Sequence, residues 1–63
     1  MILKYKVKAK CKGDRQSRLV YNGTSMNMMI ITAGRMYQSD DVTDCEITIL
    51  NESNREIAYT RIK

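Results

Sequence analysis

Lysine occupies every even position from 4 to 12 (Lys4, Lys6, Lys8, Lys10 and Lys12), and the residues between them are mostly apolar: Leu3, Tyr5, Val7, Ala9 and Cys11. In an extended chain, residues two apart point the same way and lie about 6.6 Å from each other. Five ammonium groups at that interval make a row about 26 Å long. The interval is comparable with that between successive phosphates of one nucleic-acid strand. Arg15 and Arg18 follow and extend the basic patch across a turn. Cations in such a row neutralise phosphates and release counterions. For three to five phosphates, log K falls against log salt with a slope of about −2 to −4.5.

A protective role competes with this reading. Lysines on an outer strand stop sheets from pairing edge to edge, and the first strand of a meander is a candidate edge. One or two lysines suffice for that purpose, and five exceed it. The tyrosines limit what kind of nucleic-acid contact is expected. Single-strand binders set aromatic rings among the basic groups to stack bases. Tyr5 belongs to the opposite line from the lysines, and Tyr21, Tyr37 and Tyr59 fall in other segments, where they read as core or rim. Contact is therefore expected with the backbone of DNA or RNA, with little reading of sequence.

No catalytic set accompanies the lysines. Histidine is absent, so Ser-His and Cys-His pairs are impossible. No glycine loop is present to cradle phosphate. Cys11 and Cys45 form no zinc-ligand set, since structural zinc needs four ligands. Cys11 has lysines on either side, which favours a thiolate, but alternation turns its side chain to the apolar line. Asp40, Asp41, Asp44 and Glu46 lack the spacing and central glycine of a calcium loop and read as turn-capping groups. The expectation is a protein that is not an enzyme and holds neither metal nor cofactor.

The elements that position these residues are short. The 63 residues allow one small domain, 1–63. The net charge is +4 and unevenly spread: residues 1–18 hold seven basic groups against one acidic, and the remainder is net acidic. That asymmetry points to a polyanion or an acidic protein surface as partner. The start of the chain lacks the apolar core of a signal peptide, and no segment has the length of a membrane span, so a cytoplasmic location without membrane contact is expected.

Period-two alternation predicts strands over residues 2–11, 17–21, 25–32, 36–38, 45–50 and 56–62. Turns are expected at Gly13-Asp14, at Asn22-Gly23 as a hairpin, at Gly34-Arg35, and over NESN. QSDDVTD reads as a loop, with Thr43 and Glu46 in the form of a capping box. The predicted fold is all-β, a five- or six-stranded antiparallel meander. It is expected to curl into a small SH3-like barrel or to be completed as a homodimer.

Met28, Met29, Ile30 and Ile31 are apolar on both faces of the expected third strand. A strand with no polar side is covered twice. With Met26 and Met36, these residues are the candidate protein-interaction surface, methionine being an adaptable contact residue. Two functions follow from the sequence. The first is a basic β protein binding a nucleic-acid backbone through its lysine strand. The second is an interaction module, of the phage-type or accessory inhibitor or adaptor kind, docking by the Met/Ile surface or a strand edge.

Overall fold

The computed structural model describes residues 2–63. Four antiparallel strands, β1 (Lys4–Cys11), β2 (Arg18–Gly23), β3 (Val42–Leu50) and β4 (Glu56–Arg61), form an open sheet in the order β2-β1-β3-β4. One helix, α1 (Met26–Gln38), lies on one side of it over β1, β2 and β3, and β4 extends beyond the helix. The two layers give extents of 37 × 22 × 15 Å. Among the described residues, the expected barrel and the fifth and sixth strands are not formed.

The largest correction concerns residues 25–38. The segment expected as a third strand, a tight turn at Gly34-Arg35 and a short fourth strand is a single helix. Ser25 begins it: its Oγ accepts a hydrogen bond from the Met28 amide at 3.2 Å, which satisfies one of the free donors of the first turn. Met29, Ala33 and Met36 recur at i, i+4 and i+7 and form the stripe that meets the sheet. The β-branched Ile30, Ile31 and Thr32 favour a strand locally. They yield because a four-stranded sheet leaves an apolar side that needs a cover, and this segment supplies it.

That apolar side is built by strict alternation. Tyr5, Val7 and Ala9 of β1 are buried beside Cys45 and Val42 of β3 and Met29 and Ala33 of α1. Cross-strand partners lie on the same side of a sheet. The pairs Tyr5–Ile49, Val7–Ile47 and Ala9–Cys45 therefore share the helix side, and Leu3, Cys11, Tyr21 and Ile62 pack around them. Cys11 and Cys45 are both free thiols.

The turns divide between expected and unexpected. Gly13 adopts φ +86° after β1, and Asp14 Oδ2 accepts from the Cys11 amide at 3.2 Å, as the expected turn requires. In the β3–β4 turn, Asn51 Oδ1 accepts from the amides of Ser53 at 2.9 Å and Arg55 at 3.0 Å, and Asn54 takes φ 61°. Asn22-Gly23 is not a hairpin turn but the end of β2. A Cβ on Gly23 would lie 2.5 Å from Tyr21 Oη, and that same hydroxyl accepts from the Ser25 amide at 3.0 Å. Gly23 thus leaves room for the side chain that helps to start α1. The loop expected over QSDDVTD ends early, because Val42, Thr43 and Asp44 already belong to β3. Thr43 and Glu46 cap no helix.

At the other end of α1, the Ser39 amide donates to the carbonyls of Arg35 and Met36. Lys63 Nζ donates to the carbonyl oxygens of Tyr37 at 3.2 Å and Ser39 at 2.6 Å. A cation there complements the negative end of the helix dipole. It also ties the chain beyond β4 to the helix.

A basic sheet face as the candidate functional site

No helix or strand of the described residues covers the side of the sheet away from α1. Alternation along β1 places Lys4, Lys6, Lys8 and Lys10 there, opposite the buried Tyr5, Val7 and Ala9. Three intervals of about 6.6 Å make this row about 20 Å long. Its place in the sheet differs from the expected edge: β1 has β2 on one side and β3 on the other. The edges are β2 and β4. A row of lysines on an interior strand does nothing to block edge pairing, so the protective explanation loses its basis.

Register carries the neighbours. Lys6 pairs with Thr48, Lys8 with Glu46 and Lys10 with Asp44, so those three residues of β3 share the lysine side. From β4, Tyr59 is opposite Thr48 and Arg61 is opposite Glu46, which brings both to the same side. Leu19 of β2, opposite Lys8, joins from the other flank. Three bulges increase the local twist and bend the ladders, between Val7 and Lys8, Lys10 and Cys11, and Ile49 and Leu50.

Two carboxylates lie beside the lysines, but their partners come from the far strand. Asp44 Oδ1 accepts from Arg61 Nη2, and Glu46 Oε2 accepts from the Tyr59 hydroxyl. Among the described residues, Lys6, Lys8 and Lys10 form no ion pair, and Lys4 Nζ donates to Asn54 Oδ1 at 2.9 Å. At one end of the row, Lys10, Ser17, Asp44, Glu46 and Arg61 line a polar depression.

The Tyr59 hydroxyl is pushed above the ordinary phenol range. The main cause is its hydrogen bond to Glu46, joined by partial desolvation and the Glu46 charge, with Arg61 acting in the opposite sense. On the helix side, burial raises the Cys45 thiol, Glu46 adds to the effect and Lys63 opposes it. Cys45 is a protonated core group.

The remaining basic residues separate from the row. Lys12 lies past the end of β1, where its amide donates to the Asp41 carbonyl at 2.8 Å. Arg15 is exposed in the β1–β2 turn. Arg18 faces Ala9, a residue of the helix-covered side, and pairs with Asp14 at 3.4 Å. Asp40, Asp41, Asp44 and Glu46 do not gather either, since the last two are fixed in β3.

The Met/Ile residues split by helix geometry. Met29 is buried and Met36 is partly buried against the core. Met26, Met28, Ile30 and Ile31 are exposed. Beside them, Ala33, Gly34 and Tyr37 of α1, with Ile47 of β3 and Ile62 just past β4, line an apolar groove.

Sequence reasoning missed Tyr59, Arg61 and Thr48 on the basic face, and Tyr37 and Gly34 beside the groove. The parity of the first three was visible in EITIL and EIAYTRI, but their side of the sheet depends on the β1–β3 pairing. That pairing follows only once residues 26–38 form a crossover helix. The fold and face together define a two-layer protein with one covered and one open, basic sheet side. No family model, curated protein or solved structure matches the chain.

Proposed function

We propose that the open sheet face binds the sugar-phosphate backbone of DNA or RNA without catalysis. The observation that carries this reading is the interior position of the lysine row: Lys4, Lys6, Lys8 and Lys10 line the uncovered side of a central strand. Interior strands of an open face ordinarily carry neutral polar or β-branched groups, and four adjacent ammonium groups repel one another. A polyanion relieves that repulsion and releases its own counterions. Arg61 lies two strands away on the same side, and Tyr59 adds one ring that offers stacking against a base. Recognition by this face is mainly electrostatic, so affinity varies little with sequence.

The test is fluorescence anisotropy with labelled duplex DNA and single-stranded RNA at low salt. The triple change Lys6→Glu, Lys8→Glu and Lys10→Glu abolishes binding to both if the reading holds. Retained affinity in a folded triple variant refutes it.

A second reading, docking to a protein through the outer surface of α1, is favoured by a separate observation. Ile30 and Tyr37 are 57% and 60% exposed on a helix whose one charged residue is Arg35. A helix that is apolar around most of its circumference is ordinarily buried.

A further inference from the structure

α1 carries two apolar stripes. Met29, Ala33 and Met36 face the sheet. Met26, Ile30, Gly34 and Tyr37 follow at intervals of four, four and three, the spacing of a helix–helix seam. We infer that this second stripe pairs with the same stripe of a second copy of the chain about a twofold axis. In this arrangement, the groove beside the stripe receives the partner's Ile30 and Tyr37. The inference rests on the docking reading of α1 and is independent of the polyanion reading.

Four observations favour a second copy. The first is Gly34. Glycine weakens a helix interior relative to alanine, yet a Cβ at Gly34 meets nothing within 4 Å in its own chain. Nothing in the protomer requires a glycine there, whereas close approach of a second helix backbone does.

The second is the shape of the patch. The groove, about 480 Å³, is lined by Ala33 and Gly34, by Ile47 and Ile62, and by the exposed Ile30 and Tyr37. Knob and hole therefore lie on one surface, as a twofold contact between identical patches requires.

The third is size. Few side chains are buried, and Val7 and Cys45 alone among the described residues have exposure below 2%. Domains this small commonly complete their core with another subunit. A standard contact takes about 800 Å² from each copy, roughly a sixth of the protomer surface of 4604 Å².

The fourth is charge. Each chain carries +4, with its lysine row on the side opposite α1. Pairing through α1 sends both rows outward and apart. The same geometry disfavours a lipid bilayer, whose headgroups need several cations beside the apolar helix face: α1 offers Arg35, and the neighbouring Lys63 ammonium is taken up by the carbonyls of Tyr37 and Ser39.

Sedimentation equilibrium of the full chain tests the inference, over about 1 to 200 μM to span the micromolar range of a contact this size. The expected species has twice the 7.3 kDa protomer mass. Ile30→Asp and Gly34→Gln, both at positions open to solvent in the protomer, raise the dissociation constant at least about tenfold while far-ultraviolet circular dichroism stays unchanged. Met28→Asp, on the far side of the helix, leaves association intact.

A chain that stays at protomer mass throughout overturns the inference, as does a dimer that ignores Ile30→Asp and Gly34→Gln or breaks equally with Met28→Asp. If the wild-type chain is monomeric yet loses capture of another protein on Ile30→Asp, docking by α1 stands and self-pairing falls. If nothing depends on Ile30, both fall.

Discussion

The two outer faces of this molecule invert the usual arrangement. A surface helix ordinarily shows charge to water, but α1 exposes Met26, Met28, Ile30, Ile31 and Tyr37 and carries Arg35 as its one charge. The open sheet side carries Lys4, Lys6, Lys8, Lys10 and Arg61, with Asp44 and Glu46 held by β4. Both faces are set by the same interior strand and its alternation. Val7 and its neighbours turn inward to meet the helix, so the lysines between them must turn outward. One sheet thickness therefore separates two kinds of surface, one basic and one apolar.

The largest expected effects test whether the two faces are independent. Reversing the charges of Lys6, Lys8 and Lys10 removes nucleic-acid binding, by two orders of magnitude or more, and leaves self-association unchanged. Ile30→Asp does the opposite for each protomer's salt slope and for association. Loss of both properties in either variant, with the fold intact, dissolves the distinction.

The shared core comes next in size. Val7 is fully buried beneath the lysine row. Val7→Ala removes two methyl groups and leaves a cavity, at a cost of about 2 kcal/mol, measured by urea denaturation. Folded Val7→Ala still binds through both faces.

The helix start is worth less. Ser25→Ala deletes the hydroxyl that accepts from the Met28 amide and costs about 1 kcal/mol. Gly23→Ala forces aside the Tyr21 hydroxyl that accepts from the Ser25 amide and destabilises in the same sense. Both changes lower the thermal midpoint, and neither touches a lysine.

The smallest effect concerns Tyr59. Its folded phenol titrates above the usual value of about 10, because Glu46 accepts its proton in a hydrogen bond. The neutral phenol is the form the fold favours. Its contribution is complete below the unfolded pKa and is lost as pH rises through the folded one. The absorbance change at 295 nm assigned to Tyr59, by difference from Tyr59→Phe, therefore appears later than that of a free tyrosine. A Glu46→Gln variant returns it towards the ordinary range.

Much of the sheet was legible in the residues. The first strand, the Gly13-Asp14 turn, the NESN turn and the last two strands follow from alternation and turn chemistry, which are local. The lysine row was legible for the same reason: period two is a property of β1 alone. Residues 26–38 were not legible as a helix. Ile30, Ile31 and Thr32 favour a strand locally, and MMII is apolar on both sides in either conformation. The helical signals are Ser25 as a cap and the i, i+4, i+7 spacing of Met29, Ala33 and Met36, and the β-branched run masks them. Three further features depend on this helix. Asn22-Gly23 ends a strand, β1 lies inside the sheet, and Tyr59 and Arg61 come to the lysine side. Each depends on the crossover that α1 makes from one side of β1 to the other.

Binding by the lysine row is tested most sharply by the affinity for a random-sequence duplex as salt is raised. Three or four ammonium groups of β1 on phosphates give log K against log salt a slope of about −2.7 to −3.6, the same for unrelated sequences. No binding at low salt, or a slope near zero, rules out phosphate binding by the lysine row.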